Sequence, residues 1–380
     1  MFGKEEILDR EELYKAFHSQ KCEMTSEERL SAYLRGEEVD CLPFSILSSR
    51  DAYAAVRGIS LSDLRASFEI RRGQVQWAKD TFGITGISIA LGLRGMGEAI
   101  GSVLAYPENR CDYIKEFAIE NYDQLGLAEN FEARDSKLLL ARLEEGKRMK
   151  DAFPSMDIFT NVAGPLSTAS ALRPIDLVLR DMYKAPDKLE RLLNSSIDDS
   201  LQWIRMFHET FPDGSVGIAD PVTTTDILGR KYFEVFSKPY FKRLFDGITE
   251  ITGRKPSIHI CGHTKKIWPD LMEIGMDNFS FDNCESVLEA KEILGGKVFL
   301  SGNVDPVDVM LKGTIDSVIQ AVKETIRQGS DSPCGYLLAT GCQVPIGTPM
   351  ENLTAYVYAA RKYGVGAVKG RMCGKAWEED

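Results

Sequence analysis

The chain has 380 residues, of which 43 % are apolar and 27 % charged, with 46 Lys and Arg against 57 Asp and Glu. That balance excludes a disordered or collagen-like chain and leaves enough length to bury a large core. A net charge of -11 offers no electrostatic footprint for nucleic acid or for an anionic membrane surface.

The opening, MFGKEEILDREELYKAF, is charged and helical in pattern, without the apolar core and small-residue cleavage site of a secretory signal. Residues 1–40 are expected to form amphipathic helices, an N-terminal extension, with Ser26 capping the second. The most apolar stretch, Ile84–Ala105, is interrupted by Arg94 and Glu98 and crowded with glycine, so it reads as soluble fold and not as a membrane span. Within it, the Gly95–Gly101 segment lacks the spacing of a dinucleotide fingerprint and is expected as a rim loop. Eight cysteines carry no CxxC pair, which in a chain of this kind argues for thiols or ligands and a cytoplasmic location. Cys22, Cys41, Cys111, Cys334 and Cys373 have no partner pattern and are expected to be structural.

From Leu42 onward short β-rich runs alternate with longer helical patterns. The runs are Leu42–Leu47, Ile87–Leu91, Asp157–Val162, Ser215–Asp220, Ser257–Cys261, Asn278–Asp282, Lys297–Gly302 and Gly335–Thr340. Between them, Pro174–Tyr183, Leu189–Phe211, Tyr232–Thr252, Lys265–Ile274, Val287–Ile293, Thr314–Gln328 and Pro349–Tyr363 space apolar residues three and four apart. Strands alternating with helices imply parallel pairing, and eight such units match a (β/α)8 TIM barrel. A doubly wound open sheet is the alternative. The chain reads as a single barrel domain over 1–380, with Tyr106–Pro154 as a helical insertion after the second strand.

The segment Ser257-Ile258-His259-Ile260-Cys261-Gly262-His263 carries the strongest chemistry. Alternate side chains of a strand share a face, so His259 and Cys261 point the same way. They stand at the C-terminal end of the fifth run, where barrel enzymes keep their active sites. An imidazole and a thiolate at this spacing suit zinc; the alternative is a buried Cys beside a core His. Cys342 follows the eighth run in a Gly-rich turn, ahead of a helix opened by Pro349 and capped by Thr348. In a barrel it opens onto the same mouth. Three protein ligands and one open position make a catalytic pattern. Asp282, at the end of the sixth run, is a fourth ligand, an orienting group or a surface carboxylate. Asp220 ends the fourth run as a substrate contact or a turn. Asn303 and Asp305 follow the seventh, as orienting groups or, for Asp305-Pro306, a helix start. His263 is a donor to the metal's surroundings or a cap of the next helix.

Asp220 to Tyr240, Ser301-Gly302-Asn303-Val304-Asp305-Pro306, Gly341 to Asn352 and Asn161 to Leu166 resemble the uroporphyrinogen decarboxylase-like superfamily over most of residues 26–365. Decarboxylases of that group use no metal and carry an Arg-rich N-terminal motif, which Pro43 to Arg50 lacks here; they usually have histidine where this chain has Cys342. His259-x-Cys261 with distant Cys342 is similar instead to the zinc branch, the methylcobamide:coenzyme M methyltransferases. The resemblance implies a zinc held by His259, Cys261 and Cys342, with an acidic residue near the position of Asp282, usually Glu, completing the site; Asp220, Asp282 and Asn303 are the candidate catalytic residues at the rim. It implies methyl transfer from a methylcobamide, a corrinoid carried by a separate small protein, to a coenzyme M-like thiol or a pterin. A sulfonate acceptor calls for cationic groups, for which Arg50, Arg94 and Arg173 are the candidates. Alternatives are zinc-dependent opening of an epoxide by a thiol, a metal-free lyase, and a non-catalytic corrinoid- or tetrapyrrole-binding module.

Overall fold

The computed structural model describes residues 9–20, 22–47, 50–84, 86–108 and 110–378. Its contacts gather into two compact units, Gly86–Asp277 and Met1–Thr85 with Asn278–Asp380.

In the Gly86–Asp277 unit the strands Ile87–Ser88, Ile158–Ala163, Ser215–Ala219 and Ser257–Ile260 pair in chain order, all parallel. Parallel neighbours cannot be joined by a tight turn, so each step is a helical crossover. Val162, Val216, Ile218, Ile258 and Ile260 are buried, as strands covered by helices require. The longest crossover helix, Pro186–Thr210, opens on a proline and buries Leu189, Leu193, Ile197, Ile204 and Phe207 along one stripe. Its Trp203 donates from Nε1 to Thr160 Oγ1 at 3.0 Å, tying the helix to the strand beneath.

Three expectations for this unit change. The Tyr232–Thr252 segment is two helices, Gly229–Phe236 and Lys238–Thr252. Pro239 has no N–H, and its ring would strike the carbonyl one turn back, so the helix restarts at Ser237. The insertion after the second strand is not all helical. It opens as an antiparallel hairpin, Val103–Ala105 with Tyr113–Glu116, before reaching the Lys137–Ala152 helix. Those strands are only three and four residues long and lie largely exposed, so they carry no apolar alternation. The Gly95–Gly101 segment is a helix over Gly95–Ile100 and not a loop. A Cβ at Gly97 would stand 2.5 Å from the carbonyl oxygen of Ala171, so glycine there permits close helix packing. Next to it, Ser102 Oγ donates to Ala171 O at 2.8 Å and accepts from Ala118 N at 3.0 Å, and Ile119 N donates to Leu172 O at 2.9 Å.

In the other unit Asn278–Phe281, Phe299–Val304 and Tyr336–Thr340 pair in chain order, again parallel. The first run continues this ladder beyond the last: Phe44 bridges Leu338 in parallel. Leu338 N donates to Pro43 O at 2.9 Å and Ser45 N to Leu338 O at 2.8 Å. The first and eighth runs are therefore neighbours, as a closed barrel demands. Pro43 has no donor of its own, which reduces the first run to this bridge. The extension forms helices Arg10–Ser19 and Ser26–Leu34, with residues 1–8 outside the described set. Thr25, not Ser26, caps the second helix. Its Oγ1 accepts from Glu28 N at 3.2 Å, and the Glu28 carboxylate accepts from Thr25 N at 2.9 Å. Pro349, not Thr348, holds the cap position of Met350–Tyr363, and Thr348 Oγ1 donates to Pro345 O instead. Among the described residues no helix is long and apolar enough to cross a membrane.

Asp199 lies on the buried side of Pro186–Thr210, 2 % exposed, with no hydrogen-bond partner for Oδ2. Burial, aided by the charges of Asp198 and Glu132, pushes its carboxyl from 3.8 up to about 8. The folded chain thus keeps this proton where the unfolded chain releases it, and stability is lost as pH rises from about 4 to about 8. Asp199→Asn removes that loss. Urea unfolding across this range is expected to show the variant gaining on the parent steadily with pH. A constant difference would refute the assignment.

Candidate metal centre

Ser257–Ile260 buries Ile258 and Ile260 on one face and leaves His259 half-buried on the other. His259 Nε2 lies 3.1 Å from Cys261 Sγ. The two ligands expected from alternation therefore converge on one point. The chain turns immediately afterwards at Gly262, φ +76°, where a Cβ would stand 2.7 Å from Thr224 Oγ1. His263 N donates to Asp226 Oδ2 at 3.1 Å, and its Nδ1 lies 2.9 Å from the same carboxylate. Its carbonyl accepts from Thr225 N and from the hydroxyls of Thr224 and Thr225. The loop after the fourth strand thus clamps the turn after the fifth. His263 serves this clamp and does not cap the next helical turn, whose cap position is Thr264.

Asp220 is completely buried at the end of Ser215–Ala219. Its Oδ1 accepts from Ser167 N at 3.1 Å and Ser167 Oγ at 2.5 Å. Burial pushes its carboxyl up to about 6, against the pull of the Ser167 donors. A Cβ on Gly164 would stand 2.2 Å from Oδ2, so this glycine makes room for the carboxylate. Arg173 is also buried. It donates to Asp181 at 2.9 Å and to the carbonyls of Ile119 and Glu120, which commits its guanidinium to the protein rather than to an anionic substrate. Arg94 lies 3.4 Å from Asp112.

In the other unit Asn303 organises the turn after Asn278–Phe281. Its Nδ2 donates to Asp282 O at 3.0 Å and to Glu285 O at 2.7 Å. Asp282 Oδ1 accepts from Cys284 N at 3.2 Å. Asn283 Nδ2 donates to Asp305 Oδ2 at 2.8 Å, and Asp305 Oδ1 caps Val307 and Asp308 at 2.7 Å each. Asp305-Pro306 is thus a helix start. A Cβ on Gly341 would stand 2.4 Å from Asn283 N, so the turn after the last strand lies against this one and sets half-buried Cys342 beside it. The Thr224–Asp226 clamp escaped sequence reading; Gly262 was its one signal.

The strand and helix order defines an α/β chain of the (β/α)8-barrel class. Residues 25–363 match the uroporphyrinogen decarboxylase (URO-D) family, and the chain belongs to it. A solved structure, a methyltransferase from Methanosarcina mazei, superposes with a TM-score of 0.73 at 24 % identity, covering 89 % of this chain and 98 % of that one. Among curated relatives, methylcobamide:CoM methyltransferase MtaA of Methanosarcina barkeri is 24 % identical over 90 % of this chain and 99 % of its own length. The methylated-thiol–coenzyme M methyltransferase of Methanosarcina mazei is 26 % identical over 226 residues, 59 % of this chain and 58 % of that one. The chain therefore spans only a little over half of that second relative in the match.

Replacing Asn303 by Ala leaves two carbonyls of the 282–285 turn without their donor and is expected to cost about 1–3 kcal/mol in urea unfolding. Asn303→Asp, which sets a carboxylate against those carbonyls, is expected to cost more at pH 7 than at pH 4. Equal stability of all three proteins would show that the amide does not hold the turn.

Proposed function

We propose that this protein is a zinc-dependent corrinoid methyltransferase, which takes a methyl group from a methylated corrinoid protein and delivers it to a small thiol of the coenzyme M kind. The observation that carries the reading is the 3.1 Å convergence of His259 Nε2 and Cys261 Sγ at a strand end. Cys342, in the turn after the last strand, is the proposed third ligand. Relatives named as methylcobamide:CoM methyltransferases, aligned over 90 % of the chain, support the reaction class.

One imidazole nitrogen and two thiolates suit zinc and leave its fourth position open. Zinc bound there supplies a Lewis acid that holds a substrate thiol as its thiolate. Cys261 and Cys342 bring two negative charges and His259 none, which keeps the substrate sulfur electron-rich. Methyl transfer to that sulfur would form its S–C bond as the Co–C bond of the corrinoid substrate breaks, the bonding electron pair staying with cobalt. Asp282 is proposed to orient the site from the turn that Asn303 holds. Asp220, fully buried, acts as a positioning residue by fixing Ser167. The eight cysteines of the sequence, none of them set in a CxxC pair, accord with the proposed cytoplasmic location.

Purified protein is expected to carry about one zinc per chain. Cys261→Ala and Cys342→Ala are each expected to strip most of it while the circular dichroism spectrum stays unchanged. Full retention in both variants would show that other residues hold the metal.

The reaction is tested with methylcob(III)alamin, and with methylated corrinoid protein, against thiols including coenzyme M and a pterin. Loss of the methylcobalamin spectrum is expected with a thiol, only with zinc present, and not in Cys342→Ala. The rate should rise with pH to a plateau, its midpoint below the free thiol's pKa, because coordination favours the deprotonated sulfur. Silence with methylated corrinoid protein and every acceptor would refute the methyltransferase reading and favour epoxide opening or a binding role.

A further inference from the structure

In the unit that contains residues 9–84, one carboxylate gathers five N–H donors. Asp40 Oδ1 accepts from Arg29 Nε at 2.6 Å and from Cys41 N at 2.8 Å. Its Oδ2 accepts from Arg29 Nη2 at 2.9 Å and from Glu23 N and Met24 N at 3.1 Å each. Burial alone would raise the Asp40 carboxyl, but these donors outweigh it and hold it below its ordinary value. The bonds from Glu23 and Met24 pin the chain just after Cys22 to the strand that ends in Cys41. As a result Cys22 Sγ, Cys41 Sγ and an Asp40 oxygen all lie within 4.8 Å of one another.

The two sulfurs are not equivalent. Cys22 is exposed in the loop between the first two helices, and Cys41 is 2 % exposed. The neighbouring Cys41 thiol, with the nearby charges of Arg361 and Arg29, brings Cys22 down to about 6 against the effect of burial. The same neighbour relation, with burial, pushes Cys41 up. One sulfur is thus reachable and thiolate-like; the other is protonated and hidden directly behind it. A cation is the competing occupant of such a cluster. The Asp40 oxygens, however, are taken by five donors, and the Arg29 guanidinium repels a second positive charge.

We propose that Cys22 and Cys41 form a redox dithiol pair, in which Cys22 attacks a low-molecular-weight disulfide and Cys41 resolves the product. In the first step the Cys22 thiolate forms an S–S bond to one sulfur of RSSR, and the other leaves as RS⁻. In the second, Cys41 gives up its proton and attacks Cys22 Sγ, expelling the second RS⁻. The sum is P(SH)₂ + RSSR → P(S–S) + 2 RSH, with the protein oxidised and the small disulfide reduced. The new bond fixes the loop after the first helix to the Val39–Cys41 strand.

The test exposes the full-length protein to oxidised glutathione, quenches with acid, alkylates and digests with trypsin. The expected product is a disulfide-linked pair of peptides, Cys22–Arg29 and Gly36–Arg50, which reductant removes. In Cys41→Ala, Cys22 is expected to accumulate as a glutathione mixed disulfide. In the parent protein at pH 6, Cys22 is expected to be consumed about tenfold faster than exposed Cys111 and Cys284, since the thiolate fraction that its lowered pKa gives it outweighs its lower nucleophilicity. In Cys22→Ala, Cys41 is expected to stay unmodified. Absence of the linked peptides while Cys111 and Cys284 react would overturn the proposal. So would modification of Cys41 without Cys22. Zinc that is retained by Cys261→Ala but lost on adding Cys22→Ala would assign the pair to a metal instead.

Discussion

A parallel ladder makes every strand finish at the same edge, and in each unit of this chain that edge collects the candidate site residues. Strands joined by helical crossovers all run one way, so the residues that follow each strand gather together however far apart they lie in sequence. In one unit this brings Asp220 and the His259–Cys261 pair to adjacent strand ends. In the other it brings Asp282, Asn303 and Cys342 to neighbouring turns. The helices contribute distance and direction, while Asp220, Cys261, Asp282 and Cys342 each lie one or two residues beyond the last residue of a strand.

Such turns need to be held, and the two units hold theirs by different means. After the fifth strand, Gly262 bends the chain and Asp226 with two threonines clamps His263 from the preceding loop. After the sixth, a single neutral amide, Asn303, bonds two carbonyls at once. Asp220 is a third device, a carboxylate so buried that it serves the protein's own Ser167. Ligands presented from rigid turns reach a fixed geometry without ordering on binding, which favours one constellation over many.

The strands were readable because a parallel strand covered on both sides appears as an unbroken apolar run, and all eight runs found their places in the ladders. The first proved a single bridge, because Pro43 cannot donate. The hairpin was invisible because its short strands are solvated and do not alternate. The cap at Thr25 had a legible signal, Thr25-x-x-Glu28, which the neighbouring Ser26 obscured. His259 and Cys261 were legible because two residues apart on a strand means one face. Cys342 was legible as a thiol in the Gly-rich turn just after the eighth run, and the family motif added to that reading. Nothing marked Cys22 and Cys41, since their proximity depends on Asp40 drawing two distant backbone segments together.

The hairpin between the second and third strands enters and leaves the fold at a single place. Ser102, just before it, bonds the carbonyl of Ala171, and Ile119, just after it, bonds that of Leu172, while Ser102 also accepts from Ala118. Both ends of residues 103–117 are thus fastened to the last turn of one helix, as a handle is fastened to a door. Closing a longer or shorter loop between fixed points changes its entropy only as the logarithm of its length. Evolution, or a protein engineer, can therefore resize or exchange this segment with little disturbance to the strands beneath, and a new recognition element grafted there would inherit a ready-made anchorage.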